Sequence, residues 1–207
     1  ELYTQELSDL AERAESDDIF QLIGVHVAAV RQASPLIVFK YRFPWLLCNI
    51  AGGLACAMLA AHYEQILDNV IILALFIPVV LTLAESVSIQ SLTLTLQAQH
   101  GQRFQWPALA ANVVREMPVG ILLGLGCGGL VALVAWLWKG SGLVAVCLLL
   151  SILLSIVTAT LFGLFVPTLL RAAQRDPKVA SGPITLAMTD LATLFLYLGL
   201  ATWLLGE

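Results

Sequence analysis

Five apolar stretches, each about as long as a membrane is thick, leave this chain few folds to choose from. They run from about Pro44 to Ala61, Val70 to Leu96, Met117 to Trp138, Leu143 to Leu170 and Gly182 to Leu205. A helix needs about 20 apolar residues to cross about 30 Å of hydrocarbon, and each stretch meets or approaches that length. Of the 207 residues 59% are hydrophobic and only 12% charged, against about 25% charged in soluble domains. The mean hydropathy is +0.90. The expectation is an all-α membrane protein: five transmembrane helices over residues 43–207, preceded by a cytosolic helical segment over residues 1–42.

That leading segment is polar and carries helical spacing, with Leu7, Leu10, Ala11, Ala14 and Ile19 about three to four residues apart. Ser16, Asp17 and Asp18 read as a helix start, where acidic groups meet the positive dipole end. The chain opens at Glu1 with no methionine and no signal peptide pattern, and reads as part of something longer. Basic residues cluster before span one (Lys40, Arg42), between spans two and three (Arg103, Arg115) and between spans four and five (Arg171, Arg175, Lys178). The other two connections, HYEQILDN and KGSG, hold a single lysine. Positive loops stay inside, so the N-terminus is expected in the cytoplasm and Glu207 outside. A net charge of −4 gives no basic footprint for nucleic acid. Cys48, Cys56, Cys127 and Cys147 all fall in apolar stretches without ligand spacing and read as core residues. Gly120, Gly124 and Gly128 recur at four residues, which lets helix backbones approach closely, within one chain or between two.

Two carboxylates lie inside the spans: Glu85 in the second and Asp190 in the fifth. A carboxylate at mid-span costs about 2.5–3.5 kcal/mol on insertion scales, so such residues face a bundle interior, a partner or an ion path. Neither span core holds a lysine or arginine to neutralise them. Past Pro78, span two continues with Thr82, Ser86, Gln90, Thr93 and Gln97, spaced four, four, three and four, which makes one polar stripe with Glu85 at its edge. Interhelical hydrogen bonding would explain a stripe at only about 0.6 kcal/mol per contact; a lined aqueous path explains stripe and carboxylate together. Span five repeats the pattern with Ser181, Thr185, Thr189 and Thr193, and Asp190 beside them. Ligands that are all oxygen suit hard cations such as magnesium or calcium. His26, His62 and His100 lie in flanks and read as solvated. The expected metal-contacting residues are Asp190, Glu85, Ser86, Gln90, Thr189 and Thr82.

The run RDPKVASGPITLAMTDLATLFLYLGLAT resembles the fifth transmembrane segment of MgtE-type magnesium transporters through Asp176, Pro177, Ala180, Ser181, Gly182, Pro183 and Asp190. REMPVGILLGLGCGGLVALVAWLW is similar to the third segment, Gly163 and Pro167 to the end of the fourth, and SDDIFQLIGV to the junction between regulatory CBS domains and a connecting helix. The resemblance implies a homodimer in a bacterial inner membrane, with a pore on its two-fold axis lined by spans two and five. It implies Mg²⁺ as the transported ion, largely hydrated between two Asp190 side chains, with Mn²⁺, Co²⁺ or Ca²⁺ as other candidates. Residues 1–42 would be the tail of the regulatory region. The second segment departs from the family: Ala84, Glu85, Ser86, Val87 and Ser88 stand where Gly-Gly-Asn-Ala-Gly is usual, while Pro78 and Gln90 hold register. Ser155 stands where the family often has Asn. Glu85 therefore has three readings: extra pore charge, a neutral acid bonded to a neighbouring helix, or a proton-coupling site.

Enzyme chemistry is not expected. HYEQ at 62 is not HExxH and no GxSxG occurs. A proton-coupled or altered-selectivity carrier and a non-conducting membrane interaction protein are the other classes.

Overall fold

The computed structural model describes residues 34–98, 106–173 and 177–206. They form six helices: α1 (Pro35–His62), α2 (Glu64–Asn69), α3 (Ile71–Ala98), α4 (Trp106–Lys139), α5 (Gly142–Ala172) and α6 (Pro177–Leu205). All but α2 contain membrane-length apolar segments, of 20, 28, 31, 31 and 25 residues. The all-α, five-span architecture is thus as expected. Residues 1–33 of the leading segment, with His26, lie outside the described residues, as do His100, Arg103, Arg175, Asp176 and Glu207; residues 35–42 are helical and open α1.

One boundary moves furthest. Span three was expected from Met117, but α4 begins at Trp106 and carries Pro118 in its interior. Proline removes one backbone bond and crowds the preceding turn, and the alanine-rich ALAANVV before it keeps its own helical bonds. Arg115 and Glu116 consequently ride on the helix and not in a connection. Gly140 turns the chain between α4 and α5 at φ +69°, a conformation suited to glycine. Ser141 then caps α5, its side chain accepting from the Val144 amide at 3.5 Å.

The helices form a row, α1–α6–α5–α4, with α3 seated against both α5 and α6. Close approach holds the row together, because lipid gives helices no hydrophobic reason to associate. A methyl added at Gly124 would lie 3.0 Å from Leu153 Cα, and one at Gly128 would lie 3.0 Å from the Leu149 carbonyl oxygen. The glycine stripe of span three therefore packs α4 on α5 within one chain. Gly163 does the same for α5 on α3: its methyl would sit 2.6 Å from Ser91 Cβ and 2.7 Å from the Ser88 oxygen. Tyr197 locks α6 to α3, its fully buried hydroxyl donating to the Leu73 carbonyl at 2.8 Å. That carbonyl is one residue before Ala74, whose oxygen loses its helical partner because Pro78 has no N–H. Leu73, Phe76, Val80, Ile152, Ile156 and Leu198 fill the junction.

The outer faces are apolar. Leu46, Leu54 and Met58 of α1 and Leu122, Leu130 and Leu137 of α4 are exposed. Trp136, Trp138 and Trp203 stand exposed near helix ends, as interfacial aromatics do. Cys56 and Cys147 are buried, Cys48 is exposed, and all four cysteines are free thiols.

Gly163→Val should drive a side chain into the α3 backbone and destabilise the fold by about 1–3 kcal/mol, the usual cost of overpacking. Gly126→Ala, where an added methyl meets nothing within 4 Å, should leave stability unchanged. Thermal midpoints of the two variants in matched detergent check this; equal midpoints would contradict the packing described.

Candidate cation site

The polar stripe of α3 emerges on the outside of the protomer. Pro78, Thr82, Ser86, Gln90 and Gln97 are all exposed. Thr82 Oγ1 donates to the Pro78 carbonyl at 2.7 Å, Ser86 Oγ to the Thr82 carbonyl at 2.7 Å, and Thr93 Oγ1 to the Ile89 carbonyl at 2.8 Å. With their protons spent on the backbone, these hydroxyls turn lone pairs outward. They present acceptors to a cation or to the protons of its hydration water. Gln90 adds an amide one turn further along.

The opposite edge of the same helix is also polar but buried. Ser88 and Ser91 pack against α5, where Gly163 makes room, and buried Thr95 donates to the Ser91 carbonyl at 2.7 Å. Their spacing of three and four was visible in the sequence but was hidden by the longer outward stripe.

The two intramembrane carboxylates meet. Asp190 on α6 and Glu85 on α3 are both half-buried, and their carboxyl groups lie close enough to act on one another electrostatically. Asp190 Oδ1 is fully buried and unpaired. Two carboxylates this close repel, and a cation between them removes the repulsion. Glu85 neighbours Ser86 in sequence, so the acid pair lies at the edge of the outward stripe.

Of the six expected residues, the fold brings Asp190 and Glu85 together, and leaves Ser86, with Thr82 and Gln90 one turn to either side of it, on the exposed face of α3. Thr189 goes elsewhere. Its side chain is 1% exposed and, with Thr185 and Thr193, lies in the protein interior. Among the described residues no three His, Cys, Asp or Glu side chains gather in one place. One protomer thus supplies a carboxyl pair and hydroxyls, a weak cage for a small hard cation that favours a largely hydrated one. Sequence reasoning also missed Tyr197 and the buried hydroxyl Ser151 of α5, and noted Ser155 only as standing at a family Asn position. A four-residue repeat marked the serines; nothing marked the tyrosine's reach to Leu73.

Comparison with known proteins follows the same residues. The family pattern MgtE, described as a divalent cation transporter, matches residues 77–200, from just before Pro78 to past Asp190. The Magnesium transporter MgtE of Thermus thermophilus is 30% identical over 199 residues, covering 95% of this chain and 44% of that protein. The Bacillus subtilis protein of the same name is 29% identical over 161 residues, 78% of this chain and 36% of its own length. The one from Enterococcus faecalis is 26% identical over 197 residues, 95% and 43%. The chain spans less than half the length of these relatives.

A ligand that binds only the folded state stabilises it, by about 2.7 kcal/mol at a hundred times its Kd. Mg²⁺ should therefore raise the thermal midpoint of the wild type, raise that of Glu85→Gln less, and leave Asp190→Asn nearly unmoved. The same rise in all three proteins would place the ion away from the acid pair.

Proposed function

Since the chain belongs to the MgtE divalent cation transporter family, we propose that it carries divalent cations, Mg²⁺ foremost, through a pore shared by two copies. Helices α3 and α6 of each copy line it. The observation that carries this reading is the outward polar face of α3, Thr82 to Gln97, beside the Asp190–Glu85 pair. Left against lipid, exposed amides and hydroxyls at membrane depth lack partners other than the helix itself. A second copy related by a two-fold axis, the commonest closed symmetry, covers that face and doubles it into a water-lined passage.

The chemistry fits a hydrated ion. Mg²⁺ gives up its water reluctantly and is usually held through one or two carboxylates with several waters retained. Asp190 supplies the charge. Ser86, Thr82 and Gln90 accept hydrogen bonds from the ion's water, and Thr189 supports the carboxylate from inside the protomer. Glu85 works through its proximity to Asp190, adding negative charge to the same point. The other ions of the expectation, Mn²⁺, Co²⁺ and Ca²⁺, share this hard oxygen chemistry to differing degrees. The chain's basic residues orient it with residues 1–42 in the cytoplasm and residue 207 outside.

Flux into liposomes tests the reading. Asp190→Asn and Asp190→Ala should lose Mg²⁺ uptake while retaining folded dimer, since removing the charge lowers the cost of insertion. Wild-type flux in Asp190→Ala would overturn the pore. The orientation is tested in a cysteine-free background, where Glu64→Cys should label from outside and Ala173→Cys from the cytoplasm. Labelling of both from one side would overturn it.

A further inference from the structure

Among the described residues, six buried side-chain oxygens have no hydrogen-bond partner: Ser151 Oγ, Ser155 Oγ, Thr185 Oγ1, Thr189 Oγ1, Thr193 Oγ1 and Asp190 Oδ1. Other buried hydroxyls behave differently. Thr95, Thr160 and Thr168 each donate to the carbonyl four residues back, at 2.7, 2.9 and 2.6 Å.

The unpaired set shares one interface. On α5, Gly163 marks the side turned to α3, while Leu153 and Thr160 mark the side turned to α4. At about 100° per residue, Ser155 lies about 80° round from Gly163 and about 140–160° from Thr160 and Leu153. That is the remaining buried side, the one packed on α6. On α6, Tyr197 and Asp190 face α3, and Ala187 faces α1 through Gly52. Thr185, Thr189 and Thr193, each at most 1% exposed, turn away from α1 to the α5 side. The result is a hydroxyl seam between α5 and α6, inside the protomer and separate from the outward stripe of α3. Ser151, at one end, has the weakly polar thiol of Cys147 beside it.

A buried hydroxyl left unpaired costs about 1–3 kcal/mol. Five of them together would cost about 5–15 kcal/mol, the size of a domain's whole stability. A dry seam with its hydroxyls held in these orientations is therefore strongly disfavoured, whereas buried water with two to four polar partners is a normal part of protein interiors. From Thr185 to Thr193 the unpaired hydroxyls are spread over about 12 Å along the helix axis.

We propose that a file of buried water occupies the α5–α6 seam of each protomer, bridging Ser155 to Thr189 and Thr193 and ending on Asp190 Oδ1. Resting on the reading of Asp190 as the ion's ligand, the water fixes that carboxylate from the protein side while its other oxygen meets Glu85 and the ion. Thr193 is then a positioning residue: it touches no ion and acts through water on Asp190.

Two measurements test this. A structure of the full chain in lipid nanodiscs, at a resolution that shows water, should hold ordered water between α5 and α6 at Thr189 and Thr193. Hydroxyls turned onto their own helix carbonyls with no water between would overturn the proposal. In liposome Mg²⁺ uptake, Thr193→Val keeps shape and removes the hydroxyl; it should lose about tenfold, the worth of one hydrogen bond of about 1.4 kcal/mol. Thr193→Ser keeps the hydroxyl and should rescue uptake. Wild-type uptake in Thr193→Val, or a larger loss in Thr193→Ser than in Thr193→Val, would mean that the residue only packs. Asp190→Asn separates the two readings. If it retains flux while water is seen in the seam, the ion reading fails alone. If it loses flux while Thr193→Val does not, the water file fails alone.

Discussion

Hydrocarbon has no hydrogen-bonding partner to offer, and the rest of this structure depends on that. Every polar group carried into the membrane needs a place, and the chain carries many. It sends most of them to three places. The outward face of α3 takes Thr82, Ser86, Gln90 and Gln97; the α3–α5 contact takes Ser88 and Ser91; and the buried side of α6 takes Thr185, Thr189 and Thr193. The first has no cover within one chain, and the proposed second copy supplies it.

The junction of α3, α5 and α6 is where close packing and charge meet. Gly163 brings α5 against the backbone of α3, and Tyr197 bonds α6 to the carbonyl just before the proline-disturbed turn. These contacts hold α3 and α6 in the register that puts Glu85 against Asp190. The acid pair is thus built by packing remote from it. Glycines of α4 serve the same end one helix further out, fixing α5 from behind.

Much of the fold was legible. Continuous apolar length identifies a span without any knowledge of packing, so the five helices were readable, and interior prolines hid two helix starts, Pro44 in α1 and Pro118 in α4. A proline marks a helix break only when the residues before it lack helical bonds of their own. The resemblance carried by Gly182, Pro183 and Asp190 pointed to the family that residues 77–200 match. Which polar residues share a site was less legible. Periodicity placed Thr189 beside Asp190, but a stripe has no outside until its neighbours are known, and α5 covers that one. Nor could spacing show that Glu85, on the edge of its own stripe, would reach Asp190 across the helix boundary.

The central claim is that the polar face of α3 lines a passage shared by two copies. Cysteines placed singly along α3 in a cysteine-free protein, then treated during flux with a small charged thiol reagent, test it most directly. The account predicts that Ser86→Cys and Thr82→Cys react from water, that their modification blocks Mg²⁺ uptake, and that oxidation links two copies through Ser86→Cys. Leu133→Cys, on the exposed face of α4, should do none of these. Unreactive cysteines at 82 and 86, with uptake unchanged, would show that this face meets lipid and would contradict the account.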